Sequence, residues 1–177
     1  MTPNEIVAFW KEAGSKHWFT KDDAFDAKLR SRFEAAHFAA ARGELNAWEA
    51  NAEGALGLLL LLDQISRNIF RGTAHAFATD PLAVGVAVRA IDKGFDRATA
   101  ANLRLFFYLP LEHAEDAGLQ ARAVALVEPL GDDAKNFAYA KIHRDIIARF
   151  GRFPHRNAAL GRVSTPEEIA FLSLIHI

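Results

Sequence analysis

The stretch ALGLLLLLD, Ala55 to Asp63, sets the first constraint on how this chain folds. Eight apolar residues in a row leave no polar side on a helix, and a helix apolar all round has to be buried. The run is far short of the ~20 residues that cross a bilayer as a helix. It therefore predicts a helix that enters a protein core and turns polar only at Asp63. A chain of 177 residues, 51% of them apolar, has the material for such a core.

Helix start and stop signals recur on both sides of that run. Thr2-Pro3-Asn4-Glu5 is a capping box with proline at the first helical position, which predicts a helix to Ala13 with Gly14 as a left-handed stop. A residue within Thr20 to Asp23 caps a second helix. Its face carries Phe25, Leu29, Phe33 and Ala36 or His37, and it stops at Gly43. Residues 44–50 read as a short helical turn. Asn51 caps the long helix through Phe70, in which Gly54 and Gly57 permit close approach of a neighbour. Asp80-Pro81 caps the next helix, which ends near Lys93. Another starts at Asp96 or Thr99 and ends before Pro110. Residues 114–128 form a further helix. Asp132 or Asp133 caps one that runs to about Phe150, and Ser164-Thr165-Pro166 starts the last.

No stretch alternates with the period of two that marks a half-buried strand. The expectation is one all-α domain over residues 1–177, with seven or eight helices on short links that favour antiparallel neighbours. Residues 173–177 are expected to be a tail outside the fold. No sequence repeat of about 34 residues is visible.

Composition excludes several functions. The chain has no cysteine, so disulfides, thiolate metal sites and cysteine nucleophiles are out. The formal net charge of −1 gives no electrostatic footprint for nucleic acid or an anionic membrane surface. The first residues lack a basic segment followed by an apolar one, so a soluble, cytoplasmic protein is expected. There is no G-x-S-x-G elbow, P-loop or dinucleotide glycine motif, and no cofactor is expected.

Polar residues cluster in three places. In DQISRNIFR, Asp63 and Arg67 stand four apart, as do Gln64 and Asn68, and Arg67 and Arg71. One reading is an ion pair with arginines at a helix end; the other is that Arg67, Asn68 and Arg71 hold an anion. In LPLEHAED, Glu115 and Asp116 suit a helix start, while His113 with Glu115 also offers a general base and its orienting acid. The lone H-x-E lacks the spacing of a metal motif, so no metal site is expected. The third is RFGRFPHRN, residues 149–157. Gly151 and Pro154 end a helix there, but capping does not require Arg149, Arg152, His155 and Arg156 so close together. On the preceding helix Tyr139, His143, Ile146, Ile147 and Phe150 share one side, and Asp145 and Arg149 are spaced as an i,i+4 pair.

Charge is segregated along the chain. Residues 112–133 carry six acids against one arginine, and residues 141–162 six bases against one aspartate. Mutual compensation is expected, with any surplus arginine facing a ligand or partner.

The blocks WFTKDDAFDAKLRSRF, DQISRNIFRGTAHAFATDPLA, FFYLPLEHAEDAGLQ and HRDIIARFGRFPHRNAALGRVSTPEE closely resemble a largely bacterial family, the domain-of-unknown-function family 924. Ile65 stands where the family often has phenylalanine. The resemblance implies a tetratricopeptide-like arrangement of antiparallel helix pairs and no established activity. The resulting expectation is a helical scaffold with an Arg/His-lined cleft. Arg67, Asn68, Arg71, His143, Arg149, Arg152, His155 and Arg156 would bind an anionic small molecule or an acidic peptide end. A hydrolase-like enzyme using His113 or His155 with Glu115 or Asp116, and a buried polar network with a purely structural role, are the alternatives. The three readings make opposite demands on the arginines: an open recess, a reacting centre, or a carboxylate for each.

Overall fold

In the computed structural model, residues 1–131 and 134–174 are described, and they are helical or loop with no strand among them. By internal contacts the chain groups into two compact units. The first comprises Met1–Arg71 with His75–Pro110, and the second Gly72–Ala74 with Leu111–Ile177.

The first unit is built on the leucine run. α1 (Pro3–Ala13) is followed by the short α2 (Ser15–Trp18), then α3 (Asp23–Ala41) and a 3₁₀ turn, Asn46–Ala50. The capping box at Thr2 forms as expected. Gly14 has the positive φ of 69° that favours glycine, but its ψ of 175° lies outside the αL region of the expected stop, and α2 starts directly after it. Asp22 caps α3 by accepting from the Ala24 and Phe25 amides, and Phe25, Leu29, Phe33, Ala36, His37 and Ala40 form the buried face.

The central helix runs as α4 (Ala52–Leu59), a π-helical segment (Leu60–Ile65) and α5 (Ser66–Ile69), and nearly all of it is buried. Asn51 caps it through the Gly54 amide. A Cβ on Gly54 would lie 2.0 Å from the Trp48 carbonyl oxygen, so only glycine lets the 3₁₀ turn sit this close. The π segment frees carbonyls that side chains then use. Leu61 O faces His37 Nδ1 at 2.9 Å, and Leu62 O accepts from the Ser66 and Thr79 hydroxyls. α1 and α6 (Asp80–Asp92) pack against α4, and α3 packs against the π segment.

α7 (Phe95–Ala98) and α8 (Ala101–Glu112) follow. α8 does not end before Pro110 but carries it inside. Pro110 lies in the last turn, where the lost amide removes one bond near a helix end, and its buried neighbours Leu109 and Leu111 hold the turn in place. Among the described residues the helices are more numerous and shorter than the expected seven or eight. α2, α5 and α7 are single turns that the 3.6-residue period does not resolve.

The second unit holds α9 (Ala117–Val127), a 3₁₀ turn Glu128–Leu130, α10 (Ala134–Phe150), a 3₁₀ turn Pro154–Arg156 and α11 (Pro166–Leu174). α9 packs on α10, and Ile146, Ile147 and Phe153 form a buried cluster with Phe150 and Phe171 against it. Tyr139, expected on the buried side, is 49% exposed. The expected cap at Asp132 or Asp133 lies outside the described residues. So do residues 175–177 of the expected tail, whereas Ser173 and Leu174 belong to α11. No helix among the described residues is long and apolar enough to cross a membrane.

Candidate functional site

In the first unit, the polar end of the central helix is tied down by acids from elsewhere. Asp63 is 1% exposed and accepts from the Gln64 amide at 2.6 Å. Arg67 Nη1 lies 3.0 Å from Asp63, the i,i+4 pair the spacing predicts, and the same guanidinium donates to both oxygens of Asp80 at 2.8 and 2.9 Å. Burial opposes the Arg67 charge, but Asp63 and Asp80 outweigh it. Asp80 therefore serves as an arginine partner in the first turn of α6 and not as its cap. Asn68 donates to Asp26 at 2.7 Å, and Arg71 holds the same carboxylate through Nε and Nη2. Arg67, Asn68 and Arg71 thus each have a carboxylate of their own chain.

In the second unit most of RFGRFPHRN is likewise anchored. Arg149 donates to Glu167 through Nε and Nη2, so the i,i+4 partner Asp145 is not used; Asp145 instead meets Arg144. Arg152 clamps both oxygens of Glu168, at 2.6 and 2.8 Å, and reaches the Val163 carbonyl. Glu168 is 2% exposed and also accepts from the Thr165 amide and Asn157. The Arg152 hydrogen bonds, then the Thr165 amide, hold its carboxyl down at about 2. Asn157 accepts from Arg162, which itself binds Glu115 in a two-pronged clamp at 2.7 and 2.9 Å. Glu115 also accepts from the Phe153 amide. Burial pushes Glu115 up, but the Arg162 bonds and the Phe153 amide outweigh it and leave its carboxyl below the usual range. The compensation foreseen between the acidic and basic segments is partial, because Arg149 and Arg152 turn to acids of α11.

A histidine cluster lies beside this network. His143 Nδ1 meets Glu112 Oε1 at 2.5 Å, and Glu112 is 3% exposed. The turn after Glu112 is held by Gln120, which donates to the Glu112 and Ala114 carbonyls. The His143 ring lies 6.2 Å from that of His113 and 5.4 Å from that of Phe153, both edge-on. Phe153 in turn lies 5.4 Å from His155 and beneath the Arg156 guanidinium at 4.4 Å. Arg156 also donates to the His113 carbonyl at 2.9 Å. Burial pushes the His155 imidazole down to about 4, and Arg156, His143 and His113 add to the effect while Glu115 opposes it. His155 Nδ1 is buried with no hydrogen-bond partner among the described residues.

The structure therefore brings His113, His143, His155 and Arg156 together and holds Arg149 and Arg152 on α11. Glu115 binds Arg162 and Asp116 caps α9 through the Leu119 amide. The carboxylate on an imidazole is Glu112, which the sequence offered only as an acid alongside His113 and Glu115 and not as the partner of His143. Glu112 ends α8 and stands 31 residues before His143 on α10, so nothing local to either residue points to the contact. Also unforeseen is an open groove of about 480 Å³ in the first unit, lined by Glu12, His17, Phe25, Lys28 and Arg32 among others. Among the described residues no group of three or more histidine or acidic side chains is arranged to hold a metal ion.

This fold and network define a class, an all-helical protein with arginine–carboxylate clamps on its motif residues. The chain belongs to the family described as bacterial protein of unknown function (DUF924), whose model matches residues 6–174. It is similar to a solved structure, that of the protein of unknown function ATU0120 from Agrobacterium tumefaciens. The two are 54% identical with a TM-score of 0.94, over 98% of this chain and 97% of that one. No curated protein matches the chain.

Proposed function

We propose that the protein is a helical scaffold that binds an anionic group, of a small molecule or an acidic peptide end, at His113, His143, His155 and Arg156. The observation that carries this reading is the state of His155. Its ring is neutral because burial and three cationic or protonatable neighbours oppose a further charge, and its Nδ1 is buried without a partner. Burial, the larger cause, disfavours any charge, but the positive neighbours favour an anion, and in the tautomer that protonates Nδ1 an oxyanion supplies the missing acceptor.

Arg67, Arg71, Arg149 and Arg152 have a different role in this reading. Two-pronged clamps on carboxylates of the same chain use up the geometry by which a guanidinium recognises a ligand. They favour the structural alternative for these four residues. A hydrolytic reading has one contact in its favour, the His143–Glu112 bond, which orients an imidazole.

Thermal melting in phosphate or citrate, against chloride at equal ionic strength, tests the proposal. The expected result is a rise in Tm that Arg156→Gln or His155→Gln abolishes and Arg149→Gln leaves intact. A rise absent from the wild type, or lost equally in Arg149→Gln, contradicts it.

A further inference from the structure

The groove of the first unit differs from every motif region in its charges. Lys28 and Arg32 stand four apart on α3 and line one wall. The Lys28 ammonium lies 5.3 Å and the Arg32 guanidinium 4.6 Å from the centre of the Phe9 ring, so the two charges are gathered at one aromatic side chain. Neither forms an ion pair with a carboxylate among the described residues. On the same helix Arg30 pairs with Glu34, and Asp26 is engaged by Arg71. Like charges at this spacing repel, so an unneutralised pair is a local cost to α3.

The rest of the groove fixes what would neutralise it. Phe25 lies beneath, with its ring parallel to that of Phe9 and the His17 ring stacked on it at 5.1 Å. Asp22, the cap of α3, also lines the groove and is engaged by the Ala24 and Phe25 amides and by His17 at 3.4 Å. Glu12 is exposed on the lining and has no charged partner among the described residues. An anion bound between Lys28 and Arg32 would therefore share the lining with two carboxylates, Asp22, held by its amides and His17, and Glu12, which has no charged partner among the described residues, and this disfavours a polyanion more than a singly charged head group.

We propose that this groove is a second ligand site, in which Lys28 and Arg32 bind the carboxylate or phosphate-monoester head of a small molecule and Glu12 selects against higher charge. Arg32 supplies a planar fork for two oxygens and Lys28 a point charge. The site is independent of the His155–Arg156 reading, because its residues belong to the other unit and none is shared.

The test is amide NMR on the full chain titrated with acetate, glycerol phosphate and pyrophosphate, against chloride at equal ionic strength. Acetate and glycerol phosphate separate a carboxylate from a phosphate source. At least one should shift the amides of residues 24–33, and should do so more strongly than pyrophosphate. Lys28→Gln and Arg32→Gln should each weaken binding roughly tenfold, the loss expected for one charge-assisted hydrogen bond. Glu12→Gln should tighten it severalfold, above all for pyrophosphate, a gain that no loss of structure would produce. Arg156→Gln should leave these shifts unchanged. All three groove side chains are exposed, so the variants should fold, and circular dichroism checks that they do. Shifts absent at 20-fold excess over a ~1 mM protein sample, or insensitive to all three groove variants, overturn the proposal.

Discussion

Arg67 shows how the surroundings of an arginine decide what it does. Its guanidinium is shared between Asp63 and Asp80 in a largely buried setting, and Asp63 is 1% exposed. Replacing one member of such a cluster strands charge in low dielectric. Arg67→Met should cost about 3–5 kcal/mol, read from urea or thermal unfolding. Arg149→Gln, which breaks an exposed pair with Glu167, should cost under about 1 kcal/mol. Equal losses would show that the two clamps do not differ in burial as described. The Asp63–Arg67 pair is legible in the sequence because a helix places residues four apart side by side. Asp80 and Asp26 are not, since they arrive from other helices and nothing local to DQISRNIFR points to them. For the same reason RFGRFPHRN reads as a surplus of charge until the acids of α11 are in place.

At the scale of elements, the leucine run and the capping residues specify most helix starts correctly. Thr2, Asp22, Asn51 and Asp116 each accept from backbone amides at the start of their helices. Two features escape local rules. Pro110 stays inside α8 because tertiary burial of its neighbours outweighs the lost amide bond. The π-helical segment has no sequence signature at all. It is recognised by its consequence, the Leu61 and Leu62 carbonyls taken by His37, Ser66 and Thr79. Gly54 is the element-scale residue with the sharpest requirement, because the 3₁₀ turn Asn46–Ala50 packs directly onto it. Gly54→Ala should destabilise by about 1–3 kcal/mol despite alanine's better helix propensity, since the added methyl meets backbone that cannot rotate away. A neutral or stabilising effect in denaturant unfolding would show that the turn can move aside.

For the whole molecule, the pH dependence of stability reports the histidines and carboxylates together. His37 and His155 are both pushed below the ordinary histidine range, first by burial. The unfolded chain therefore binds more protons than the folded one as pH falls through 6.5 towards about 4, and stability is lost across that window. His155→Gln should flatten this limb, the wild-type loss from His155 being on the order of 3 kcal/mol. Glu168 acts lower: its stabilisation is complete above the ordinary glutamate range and is lost as pH falls from about 4.5 towards 2. Two separate acid limbs in a stability–pH profile are the expected shape, and a single limb below pH 4 would contradict the assignment to His155.

The central claim is that an anion binds beside Arg156, His143 and His113 at His155, whose Nδ1 is buried without a partner among the described residues. Imidazole NMR of His155 measures this most directly. Without added anion His155 should titrate at about 4. With saturating phosphate its pKa should rise, because a bound anion favours the imidazolium, and Arg156→Gln should remove the phosphate dependence. A His155 that titrates near 6.5 in plain buffer, or one whose pKa is indifferent to phosphate, would contradict the account.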